Sequence, residues 1–205
     1  MLRSVFIGGM FAAFAAWTSS ACTADESVIY KIEEDWEMVI NEPDPANCSP
    51  QVTFFTSPSA DAEDIYFQLQ MNYSADAQFS SGGFHVAAFQ GGHMHDEARS
   101  GTEKVLASSG DIIRWTSVMA VVDEKLLFAV KDGYSDEWGA FGGPDYLVRI
   151  PTSSIQNLAT YHPRKSLETV DVGFGANRID SLTLRRVRVF YVDGRTVNVS
   201  IDSQP

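Results

Sequence analysis

Ile65-Tyr-Phe-Gln-Leu-Gln-Met-Asn-Tyr73 decides the fold. Ile65, Phe67, Leu69, Met71 and Tyr73 form one series, and Tyr66, Gln68, Gln70 and Asn72 form the other. Successive side chains of a strand point to opposite faces, so this stretch is a strand with one face on a core and one polar face. The pattern spreads outward from there. Residues 112–122 are apolar on both faces, most of all in their second half, which predicts a central strand. Asp123-Glu124 then separates them from 126–130 in a tight hairpin. Asp193-Gly194 lies between 187–192 and 195–201, and Asp-Gly between apolar runs is a strong hairpin signal. Further strands are predicted at 30–40, 52–56, 84–89, 146–150 and 170–174. Helical periodicity is almost absent. About ten strands without helices specify an all-β fold, an antiparallel two-sheet β-sandwich of jelly-roll type.

The chain has 205 residues, 44% of them apolar and 12% aromatic, enough for one domain with a real core. Its net charge of -12 excludes a binder of the nucleic-acid backbone, which needs clustered Lys and Arg. The first 24 residues have the layout of a secretory signal: Arg3, an uncharged apolar run over 5–17, then small residues at Ser19, Ser20, Ala21 and Ala24. That run is too short to span a bilayer, and no later stretch reaches spanning length. The expected organisation is a signal peptide over 1–24 and a single sandwich domain over 25–205. The expected location is outside the cell, in the periplasm or in the cell envelope. Cleavage after Ala24 leaves Cys48 alone. Cleavage after Ala21 makes Cys22 the first residue, open to pairing with Cys48 or to a lipid anchor. Ser19-Ser-Ala-Cys22 resembles a bacterial lipoprotein box only loosely, with Ser19 where that box has Leu.

The stretch Trp115 to Gly133, a long apolar strand, an acidic turn and then Leu-Leu-Phe-Ala-Val-Lys-Asp-Gly, resembles the central hairpin of concanavalin A-like and laminin G-like lectin and glucanase sandwiches. Val170-Asp-Val-Gly-Phe-Gly-Ala-Asn177, followed by 182–190, resembles their closing strands. The resemblance covers most of residues 28–205. It implies a lectin-like domain that binds glycans or protein surfaces, often with calcium, and in some members hydrolyses polysaccharide. It is a likeness of architecture, which does not by itself choose an activity.

Glu33-Glu-Asp-Trp-Glu37 resembles the Glu-x-Asp-x-Glu strand of laminarinase-type glucanases. The resemblance makes Glu33 the nucleophile, Asp35 the helper and Glu37 the acid/base, and strand alternation puts all three on one face. Retaining hydrolysis needs carboxyl groups about 5 to 5.5 Å apart, whereas the Cα atoms of Glu33 and Glu37 lie about 13 Å apart at strand rise. The family's motif also lies mid-domain, while this one starts about ten residues after the signal segment. The competing expectation is an N-terminal strand with Ile32, Trp36, Met38 and Ile40 inward and an acidic outer face that discourages edge pairing.

Three other groups are candidates for binding. The 132–143 loop carries Asp132, Asp136 and Glu137 with Tyr134, Trp138 and Phe141, so its carboxylates suit calcium and its aromatic rings suit a sugar face. Tyr66, Gln68 and Gln70 offer a stacking ring and amides that both donate and accept, which suits a hydroxyl-rich ligand. His93 and His95 are spaced to share a metal but lack a third ligand, and 90–101 has the composition of an exposed loop. Arg185, Arg186 and Arg188 divide between the two faces of a strand under strict alternation. No nucleophile elbow, phosphate loop or dinucleotide fingerprint occurs. The expected function is an exported, non-catalytic binding domain for a glycan or a cell-surface or extracellular partner. The alternatives are a small glycoside hydrolase using Glu33 and Glu37, and a purely structural envelope protein.

Overall fold

A computed structural model describes residues 28–43, 52–58, 64–72, 83–100, 108–152, 154–163 and 178–203. The signal segment, Cys22, Cys48, Tyr73 and the strand expected at 170–174 lie outside the described residues.

The described chain is all-β and antiparallel. Its strands are β1 (Ile29–Ile40), β2 (Val52–Thr56), β3 (Ile65–Asn72), β4 (Gly83–Gln90), β5 (His93–Ser100), β6 (Ile112–Val122), β7 (Lys125–Ser135), β8 (Gly139–Phe141), β9 (Leu147–Pro151), β10 (Ile179–Tyr191) and β11 (Thr196–Ser203). A seven-stranded sheet has the order β11-β10-β1-β6-β7, with β9 and β8 sharing the far edge of β7. A four-stranded sheet has the order β2-β3-β4-β5. Their inner faces meet in one core, where Phe67 of β3 stacks on Phe128 of β7 with ring centroids 5.1 Å apart. Trp36 of β1 and Trp115 of β6 lie side by side in the same core, 6.3 Å apart and nearly parallel.

The period-2 stretch behaves as its pattern requires: Ile65, Phe67, Leu69 and Met71 are buried, while Tyr66, Gln68 and Gln70 are half-exposed. Strand β1 likewise buries Ile32, Trp36, Met38 and Ile40. Its fifth inward residue is a glutamate, which the hydrophobic pattern conceals. The Glu34 carboxylate accepts from Trp36 Nε1 (3.2 Å) and from the Tyr161 hydroxyl, so the buried charge is held by donors from two segments. The Asp123-Glu124 hairpin forms with both residues at positive φ (49° and 58°), the primed turn that matches strand twist.

Two segments differ from expectation. Residues 93–100, expected as a loop, form β5, joined to β4 through Gly91 and Gly92, both at positive φ. The 132–143 loop is largely strand, because β7 runs on to Ser135 and β8 pairs with it. At Gly133 a Cβ would sit 2.3 Å from the Phe141 ring, so the glycine is what lets β8 close down.

Candidate functional site

With the inner faces spent on the core, the chemistry lies on the two outer faces. On the large sheet, Glu33, Asp35 and Glu37 of β1 lie in a row, flanked across β1–β6 pairing by Arg114 and Thr116 and across β1–β10 pairing by Arg186 and Arg188. Glu33 Oε1 meets the ammonium groups of Lys31 (3.1 Å) and Lys131 (2.9 Å), and its Oε2 meets Arg188 (3.2 Å). Asp35 accepts from the Thr116 hydroxyl (2.9 Å), from Arg186 Nε (2.7 Å) and from Arg188 Nη2 (2.6 Å). Glu37 accepts from Arg114 Nε (2.7 Å), with Arg185 at 4.0 Å. Burial alone would raise the pKa of Glu33, but hydrogen bonds from Lys131 and Lys31 outweigh it and hold the carboxyl below its ordinary 4.5.

The three arginines of 185–188 are not divided between faces. A register shift between Asp35 and Trp36 leaves Arg185 unpaired with β1, a β-bulge. Leu184 and Val187 stay buried on either side, and Arg185, Arg186 and Arg188 all line one open cavity of about 460 Å³ with Asp35, Glu37, Arg114, Thr116 and Asp132. Strict alternation cannot foresee this, because one extra residue in a strand re-aims everything beside it.

On the small sheet, Tyr66 stacks on Phe89 (centroids 4.9 Å apart, 8° between planes) and takes Phe55 on its edge (5.6 Å, 79°). Met94, half-exposed, pairs with Phe89 at the end of this row. Next to it run Gln68, Gln70, His85, Glu97 and Arg99, brought together by the β3–β4–β5 register. The Gln70 amide reaches His85 Nδ1 (2.9 Å), His85 Nε2 meets Glu97 Oε2 (2.9 Å), and Arg99 Nη2 donates to the same oxygen (2.7 Å). Burial holds the imidazole below its ordinary 6.5, with Arg99 adding to the effect and Glu97 opposing it. Glu97 is itself lowered, chiefly by Arg99. Phe55 and Phe89 were not singled out from the sequence. The signal that reveals them is Gly91-Gly92 between two extended runs, which makes 84–100 a hairpin.

The remaining candidates are scattered. Trp138 is a core residue, 4% exposed and edge-on to Phe141 (5.6 Å), with its backbone N–H on Ser135 Oγ. Tyr134 is half-exposed, and its hydroxyl donates to Asp136 (3.3 Å). The backbone N–H of Asp136 is held by Asp111 (3.2 Å), whereas Asp132 lines the arginine cavity beside Lys131 (3.6 Å). Among the described residues no three His, Cys, Asp or Glu side chains group as metal ligands, and no helix is long and apolar enough to cross a membrane. His93 and His95 are exposed on β5.

No family model, curated protein or solved structure matches the chain.

Proposed function

We propose that this chain is an exported, non-catalytic binding domain of concanavalin-like jelly-roll type that holds a glycan on the outer face of its four-stranded sheet. One observation carries the reading: a stacked aromatic pair, Tyr66 on Phe89 with Phe55 at its edge, lies in register beside Gln68 and Gln70. Sugar rings have an apolar face bordered by hydroxyls. An aromatic row offers the first a surface, and amides, which both donate and accept, answer the second. Rigid strands hold both rows, so little conformational freedom is lost on binding. The glutamates of β1 support a structural role, because Glu33 is engaged by three cations and held ionised.

The test is an array of neutral and acidic polysaccharides probed with the purified protein, reading bound protein and released reducing sugar together. Binding without sugar release, weakened at least tenfold by Gln68→Ala and by Tyr66→Ala in folded protein, is the expected result. Sugar release abolished by Glu33→Gln would overturn it and make the chain a hydrolase.

A further inference from the structure

We infer that the arginine cavity on the seven-stranded sheet is a second ligand site, on the face opposite the proposed glycan surface, and that it takes an acidic sugar through its oxyanion. In a chain with a net charge of -12, this face runs the other way. Among the described residues, Lys31, Lys131, Arg114, Arg185, Arg186 and Arg188, six cations, meet Glu33, Asp35, Glu37 and Asp132, four carboxylates.

The donors are not used up internally. Arg114 gives only Nε to Glu37, so both its terminal nitrogens have no hydrogen-bond partner among the described residues, and its side chain is 55% exposed. Arg186 gives Nε and Nη2 to one oxygen of Asp35, which leaves Nη1. Nε of Arg188 is buried without a partner among the described residues. A guanidinium presents its donors as a planar fork that matches carboxylate and sulfate oxygens two at a time. The cavity, about 460 Å³, falls in the size range of small-ligand sites.

The acceptors in the lining narrow the class. Asp35, Glu37 and Asp132 would repel a bare inorganic anion, but they accept from hydroxyls. A ligand with one oxyanion and several hydroxyls satisfies both halves of the lining. That describes a uronate or a sulfated sugar.

The experiment titrates the full protein calorimetrically at low salt with four probes: an oligogalacturonide, its methyl ester, a sulfated galacto-oligosaccharide and inorganic sulfate. Arg114→Gln/Arg185→Gln, both exposed positions, is run beside Gln68→Ala, with thermal melts to verify folding. The expected result is binding of the uronate, the sulfated sugar or both, which identifies the oxyanion carried. That binding drops at least tenfold in the arginine double variant and is unchanged in Gln68→Ala. For the uronate, methyl esterification also drops it at least tenfold. Binding of neither acidic sugar, equal binding of acid and ester, a preference for inorganic sulfate, or indifference to the double variant would overturn the inference. Loss in Gln68→Ala alone would assign the acidic sugar to the small sheet instead.

Discussion

The two outer faces are built from the same device, strands presenting alternate residues to water, yet they use it in opposite ways. On the large sheet each outward carboxylate of β1, Glu33, Asp35 and Glu37, is matched by a cation from a neighbouring strand, so the face is first a lattice that ties β10, β1, β6 and β7 together. On the small sheet the half-exposed side chains are rings and amides, with charge confined to the His85–Glu97–Arg99 group at one end. Groups that satisfy one another stiffen the fold, and the arginine nitrogens left over at the cavity are the exception on that face. A face whose groups have bonding capacity left over is where a ligand gains most.

The largest effect that separates the faces is on stability. Asp35→Ala strips the acceptor from Arg186, Arg188 and Thr116, two of them part-buried, and is expected to cost about 2 to 4 kcal/mol in urea unfolding. Gln68→Ala should stay within about 0.5 kcal/mol, as for ordinary surface positions. Equal costs would dissolve the contrast. Ligand affinity runs the other way: Tyr66→Ala is expected to lose at least tenfold in glycan binding, while Lys131→Gln leaves that binding unchanged.

Acid should act on His85 and on Glu33 in separate windows. His85 has its folded pKa below the unfolded 6.5, so the unfolded chain binds the proton first; the contribution of His85 is full above 6.5 and falls as the pH drops from there through the folded value. Glu33 is also lowered, from 4.5, so its contribution is full above 4.5 and lost below it, as pH falls through the folded value. Melting temperatures followed from pH 8 to 3 should therefore show two declines, the first abolished by His85→Gln and the second reduced by Glu33→Gln. The smallest effect belongs to Arg185→Gln, whose side chain is 53% exposed and stands 4.0 Å from Glu37; its change in unfolding free energy should be under about 0.5 kcal/mol.

What was legible in the sequence was the strand pattern wherever alternation is strict. Ile65–Asn72 and Ile112–Val122 emerge where the pattern places them, and the two-sheet sandwich follows from their number and spacing. The outer-face row of Tyr66, Gln68 and Gln70 was legible for the same reason. Strand β5 was not, because His93, His95, Asp96, Glu97 and Arg99 give an edge strand almost no apolar signal. It also has its own register shift, between Ala88 and Phe89. Trp138 was misplaced for the converse reason: glycines and carboxylates around it gave the segment the composition of a loop, while tertiary pairing made it strand and took the indole into the core. The arginine cavity escaped because it depends on one bulged residue.

That bulge gives the chain a place where its length is negotiable. Trp36 faces Leu184 and Asp35 faces Arg186, so removing Arg185 would close the gap and keep every Cα pair that β10 makes with β1. A deletion where the ladder is continuous, as at Arg188, would swap core and solvent faces for the rest of the strand. Here the genetic lesion and the structural one come apart: a lost codon would subtract one cation from the cavity and leave the β1–β10 ladder in register.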